Sequence, residues 1–251
     1  MVLGLVALAF SAAARERAIR PAIPPIAPNL IDYLFFIGGE SRFGMKPGDE
    51  RQLQLGYMQC CVYFVPVQAQ IFWSVAPANS GLTVDGSGVL RAAPDIEAGR
   101  TFLVMANIEN GRRILTETVP IWTRESNPLV GYWHQVAETS CFGQDIPATV
   151  PIHEMMFGAN GKFSVTWYPF EVYVDYWGAY ELDLERRSIR LAVDHGNYVP
   201  KDIRGDGMFE LEQIGTYSDG SPRYRLRLRN VWLGRHQSDA APAGCGLVFE
   251  R

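Results

Sequence analysis

The chain has 251 residues, 47% hydrophobic and 20% charged, which excludes a disordered chain and leaves length for two domains that each bury a core. Its formal net charge of −4 gives no electrostatic reason to expect a nucleic-acid partner or an anionic membrane.

Residues 2–10 are apolar and run into Ser11, Ala12, Ala13 and Ala14, the pattern of a signal-peptide core with a small-residue cleavage site but no basic n-region. Such a run is too short to span a bilayer. Residues 1–14 are therefore expected to be a leader and the protein periplasmic or secreted, with no transmembrane segment. Residues 15–29 contain four prolines and predict an extended tether. Residues 30–37 read as an apolar strand ended by Gly38 and Gly39. A turn at Pro47, Gly48 and Asp49 precedes strands at 52–61 and at 70–75, the latter centred on Trp73. Asp85, Gly86, Ser87 and Gly88 make a tight turn before a strand at 89–92. Residues 101–107 and 114–122 form a hairpin across Glu109, Asn110 and Gly111, where Asn-Gly supplies the positive backbone angles. Short strands with regular turn signals predict a β-sandwich.

Within this stretch the segments KPGDERQLQL, FWSVAP, GLTVDGSGVLRA and RTFLVMANI resemble bacterial immunoglobulin-like domains of the group-2 type. The resemblance covers residues 30–123 and rests on Trp73 followed by Ser74 and Val75, and on the DGSGVL turn. The run CCVYFVPVQAQ departs from that pattern. The resemblance implies a spacer or adhesion module on an exported protein, without catalytic residues.

Residues 124–128 form a polar junction. Beyond it, strands are expected at 129–137, 152–157, three in a meander over 161–193, 208–212, 224–232 and 246–251. In the meander Phe163, Val165 and Trp167 alternate with Ser164 and Thr166. Val174, Tyr176, Tyr180 and Leu182 alternate with Asp175, Glu181 and Asp183, and Ile189, Leu191 and Val193 with Arg190 and Ala192, the period of a half-buried strand. Eight antiparallel strands in sequence close into a barrel that side chains fill or that holds one small ligand. The loop at 194–206 could cover one mouth. Closure makes the first and last strands neighbours, which brings Cys141 to Cys245 and predicts that disulfide among the three pairings four cysteines allow. Cys60 and Cys61 then either form a vicinal bridge or stay as buried thiols.

The segment LVGYW at 129–133 is similar to the Gly-x-Trp opening of lipocalin-like (calycin) proteins. That resemblance covers residues 129–251 and implies that Trp133, after Gly131, closes one end of the barrel with Arg251 lying over it. The fold expected is therefore all-β, an immunoglobulin-like β-sandwich followed by an eight-stranded antiparallel lipocalin-like barrel.

Candidate ligand-binding residues inside the barrel are Trp167, Tyr176, Tyr180, His153 and Phe209. A tyrosine hydroxyl inside a barrel needs a partner, so Tyr176 and Tyr180 would orient a bound small apolar or aromatic molecule. The competing reading is that these aromatics fill a closed core. Gly178, between the two tyrosines, reads first as a barrel corner. Arg225, Arg227 and Arg229 form an outward stripe opposite Glu210 and Glu212, which predicts cross-strand ion pairs. His134, His195 and His236 have no metal-ligand spacing, and Asp202 and Asp206 lack the calcium-loop pattern. Asp175 and Asp183 read as outward carboxylates. With no Gly-x-Ser-x-Gly elbow and no cysteine beside a base, neither enzyme activity, cofactor nor metal is expected. The preferred expectation is an exported ligand-binding protein; the alternative is a structural or adhesive cell-envelope protein with a solid barrel and an envelope protein as partner.

Overall fold

The computed structural model describes residues 25–37, 40–59, 63–148, 150–168, 174–235 and 244–251. The expected leader, residues 15–24 of the tether, Gly38, Gly39, Cys60, Cys61 and His236 lie outside the described residues. The fold is all-β apart from a one-turn helix, α1 (Pro28–Ile31), and a 3-10 turn at Glu40–Phe43. Among the described residues, no helix is long and apolar enough to cross a membrane.

The N-terminal half carries β1 (Phe35–Phe36), β2 (Glu50–Gln52), β3 (Leu55–Gln59), β4 (Tyr63–Pro66) and β5 (Ile71–Ala76). It continues with β6 (Leu82–Val84), β7 (Val89–Ala92), β8 (Thr101–Ile108) and β9 (Arg113–Pro120). These strands form three sheets, in the orders β1-β3-β4, β2-β7-β6 and β5-β8-β9. Phe102, Val104, Ala106 and Ile108 are buried at period two on one face of β8. Phe102 and Val104 pack with Leu82 and Leu90, while Ala106 and Ile108 pack with Leu34 and Leu55. Two small sheets therefore cover one face of the third. In the β8–β9 connection Glu109, Asn110 and Gly111 all have positive φ, as the Asn-Gly pair foretold.

Two sequence expectations need correction here. The apolar run at 30–37 is not one strand: Pro28 starts α1, its fixed φ suiting a first helical turn, and only Phe35 and Phe36 pair with β3. The tether stops short of residue 29. Ile26 is buried beside Ile31 and Leu34, its N–H donates to Glu109 Oε1 at 2.5 Å, and its carbonyl accepts from Arg112 Nη1 at 2.8 Å.

The C-terminal half carries β10 (Gly131–Thr139), β11 (Asp145–Ile146), β12 (Glu154–Phe157), β13 (Lys162–Thr166) and β14 (Tyr176–Asp183). After these come β15 (Ser188–Gly196), β16 (Asp206–Thr216), β17 (Pro222–Arg229) and β18 (Gly246–Glu250). All pairings are antiparallel between successive strands, β11 being a short addition beside β10, and β10 also pairs with β18, so the sheet closes into a ring. Cys141 and Cys245 form a disulfide with Cα atoms 4.8 Å apart, beside the Thr139–Gly246 pair of that closing ladder. Gly178 sits at a bulge between β14 and β15, where a Cβ would lie 2.0 Å from the Ala192 carbonyl. The glycine thus permits the bend that closure requires.

Candidate functional site

The barrel interior is lined by the side chains that alternation assigned to it. Trp167, Tyr176, Tyr180 and Phe209 are all buried in one cluster with Trp133, Phe157, Phe163, Leu226, Leu228 and Phe249. Their rings interlock: Phe157 meets Tyr180 edge-on at 4.9 Å and Trp167 lies 5.7 Å from Tyr176. Both interior hydroxyls have partners within the chain. Tyr176 donates to the Leu233 carbonyl at 2.8 Å. Tyr180 donates to the Gly158 carbonyl at 2.7 Å and accepts from Asn127 Nδ2 at 2.8 Å. Burial, together with the charges of Asp175 and Asp202, pushes the Tyr176 phenol well up; burial also pushes Tyr180 up to about 12, the Asn127 hydrogen bond acting the other way.

Each end of the barrel is stoppered. At one, the Trp133 indole donates to the Leu129 carbonyl at 2.7 Å, and the Arg251 guanidinium lies 4.2 Å over its ring. Arg251 also donates to the carbonyls of Val130 and, at 3.1 Å, Pro128. Its pKa falls to about 10, because burial disfavours its charge and Arg124 is near. Gly131 makes the approach feasible: its φ is +135° and a Cβ would sit 2.4 Å from Arg251 Nη1. At the other end, Tyr198 and Ile203 from the expected mouth loop pack on the core. There Trp232 donates to Asp202 at 2.8 Å, Tyr198 donates to the Arg235 carbonyl at 3.0 Å, and Arg235 lies over the Trp232 ring while binding buried Glu138 at 2.5 Å.

Other expected positions move. His153 does not face the interior; it is exposed, its ring 5.4 Å from that of His134, because β12 begins one residue later and the inward phase does not extend back to it. Asp175 is 1% exposed rather than outward. It lies just before β14 and accepts the Trp167 N–H at 2.9 Å. The arginine stripe is ion-paired, but mostly beyond the expected strand: Arg229 binds Glu210, Arg225 binds Glu250 and Arg227 binds Asp145. Among the described residues no cluster of three or more metal-ligating groups occurs.

Two surfaces escaped the sequence reading. On the outer barrel wall a groove of about 410 Å³ is lined by Met156, Ser164, Val174 and Trp177, with Arg42, Lys162 and Asp194 around it. The consecutive apolar residues Met155, Met156 and Phe157 break the alternation and are the one local signal for it. In the N-terminal half, the outer face of β5, β8 and β9 exposes Phe72, Leu103 and Ile114 and carries no charged side chain. No family model, curated protein or solved structure matches the chain.

Proposed function

We propose that the chain is an exported, non-catalytic structural or adhesive protein of the cell envelope, in which an immunoglobulin-like sandwich presents a lipocalin-like barrel with a solid core. The observation that carries this reading is that Tyr176 and Tyr180 spend their hydroxyls on backbone carbonyls of the chain itself. A ligand-carrying interior needs polar groups left over to orient its guest, and interlocked rings leave apolar guests no room. The Arg251–Trp133 stack behind Gly131 supports the lipocalin-like assignment. The Cys141–Cys245 bond supports an oxidising compartment. The outer face of β5, β8 and β9, which exposes Phe72, Leu103 and Ile114 among uncharged neighbours, is the surface suited to an envelope partner, since interface centres are depleted of charge and enriched in aromatic side chains.

Xenon uptake followed by methyl NMR tests the solid core. The expected result is no saturable shift of interior methyl groups in the wild type and a new one in Leu226→Ala, whose truncation at a fully buried position opens an apolar void. A saturable shift in the wild-type interior would restore the ligand-carrying reading.

A further inference from the structure

We propose that the outer wall of the barrel holds a binding site for a zinc ion, formed by His134 of β10 and His153 just ahead of β12. The site depends neither on a solid barrel interior nor on an envelope partner.

The two histidines are 19 residues apart in sequence, so no local ligand spacing announces them; the pairing of β10 with β12 brings them together. Both are exposed, and their ring centroids lie 5.4 Å apart with the planes inclined at 57°. That spacing suits a shared metal. An imidazole nitrogen binds zinc at about 2.0 to 2.1 Å, which sets each ring centre about 3.2 Å from the ion, and a tetrahedral angle between two such rings then separates their centres by about 5.2 Å.

The proton on His134 is placed to match. His134 Nδ1 is hydrogen-bonded to the main-chain carbonyl of His153. A carbonyl only accepts, so Nδ1 carries the hydrogen and Nε2 keeps its lone pair for a ligand. Metal-bound histidines are characteristically held this way, the other ring nitrogen donating to a carbonyl or carboxylate that fixes tautomer and orientation. His153 thus supplies both the carbonyl that sets His134 and the second imidazole.

The main chain around His153 is held on both sides. Ile152, before it, accepts the Gln135 N–H at 3.0 Å and donates its own N–H to Gln135 Oε1 at 2.8 Å, while Glu154, after it, opens β12 opposite Thr166. Glu250, which stands opposite His134 on β18, is engaged by Arg223 and Arg225. Among the described residues no cluster of three or more metal-ligating groups occurs, so the two imidazoles take two of the four positions of the ion and water takes the rest. Imidazole donors select zinc and its transition-metal neighbours over magnesium and calcium, which seek oxygen.

The test is a calorimetric titration of the intact, oxidised protein, its free thiols alkylated, with zinc chloride in a non-coordinating buffer, followed in parallel by long-range proton–nitrogen spectra of the imidazoles. The expected result is one zinc ion per chain, with the His134 and His153 ring nitrogens moving together, those of His195 and His236 unmoved, and no binding of magnesium. His134→Ala and His153→Ala should each weaken binding by about tenfold or more, and His195→Ala should leave it unchanged. Both positions are exposed, and His153→Gln, which keeps a polar side chain, decides the matter if His153→Ala does not fold. No saturable zinc binding, binding indifferent to His153→Gln, or a response at His195 or His236 instead overturns the proposal.

Discussion

Trp133 and Arg251 show how one residue pair can close a barrel. The indole fills the end of the core while its N–H is consumed by the Leu129 carbonyl, and the guanidinium covers the ring's outer face. Trp133→Ala should cost about 3 to 5 kcal/mol, the usual loss for deleting a buried aromatic; urea denaturation at neutral pH reads it directly, and an unchanged midpoint contradicts the role. Alkali should act through the two interior phenols. Both have folded pKa values raised above the ordinary tyrosine value of about 10, Tyr180 to about 12. A raised pKa contributes stability that is complete below the unfolded value and is lost as pH climbs through the folded one. Stability should thus decline from about pH 10 toward pH 12, with the 295 nm phenolate signal of these tyrosines arriving only as the fold is lost, and Tyr180→Phe should flatten the decline. Trp133, Tyr176, Tyr180 and Phe209 were legible because each lies inside a strand, where phase is reliable, and Trp167 and Arg251 keep the phase of the strands they directly follow. His153 and Asp175 were misread because each sits one residue outside a strand end, where the backbone no longer enforces alternation.

At the scale of elements, the decisive contact is the ladder between β10 and β18, which turns an open sheet into a ring without edges. The strand count predicted it, and cysteine placement followed. Their disulfide spans a sequence separation of 104 residues, so on the chain-entropy model it should contribute about 4 to 5 kcal/mol. Replacing both cysteines by serine should lower the denaturation midpoint accordingly while leaving the far-ultraviolet circular dichroism unchanged; loss of that spectrum would mean that the ladder cannot hold alone. What escaped prediction at this scale depends on tertiary context. The helical turn of α1 is too short to show a period. The outward apolar positions Met156 and Trp177 look like errors of phase until the adjoining Arg42 is known.

For the whole molecule, the polar stretch at 124–128 falls between β9 and β10 and gives no sign of the contacts made across it. Phe43 meets Tyr132 edge-on at 5.0 Å, Arg124 stacks 4.0 Å over Tyr224, and Asn127 hydrogen-bonds Tyr180. These partners are distant in sequence, and no local pattern announces them. Calorimetry should therefore record a single cooperative thermal transition, and the double substitution Phe43→Ala and Tyr132→Ala should separate it into two. Two resolved transitions in the wild type would show the halves to be independent. Arg251 bonds the carbonyls of Pro128 and Val130, so the strand that completes the barrel returns to the spot where the chain enters it. A unit whose two extremities touch behaves as a cassette: it can be spliced into a host loop, or rejoined head to tail and cut open at the distant 183–187 turn, with its topology intact.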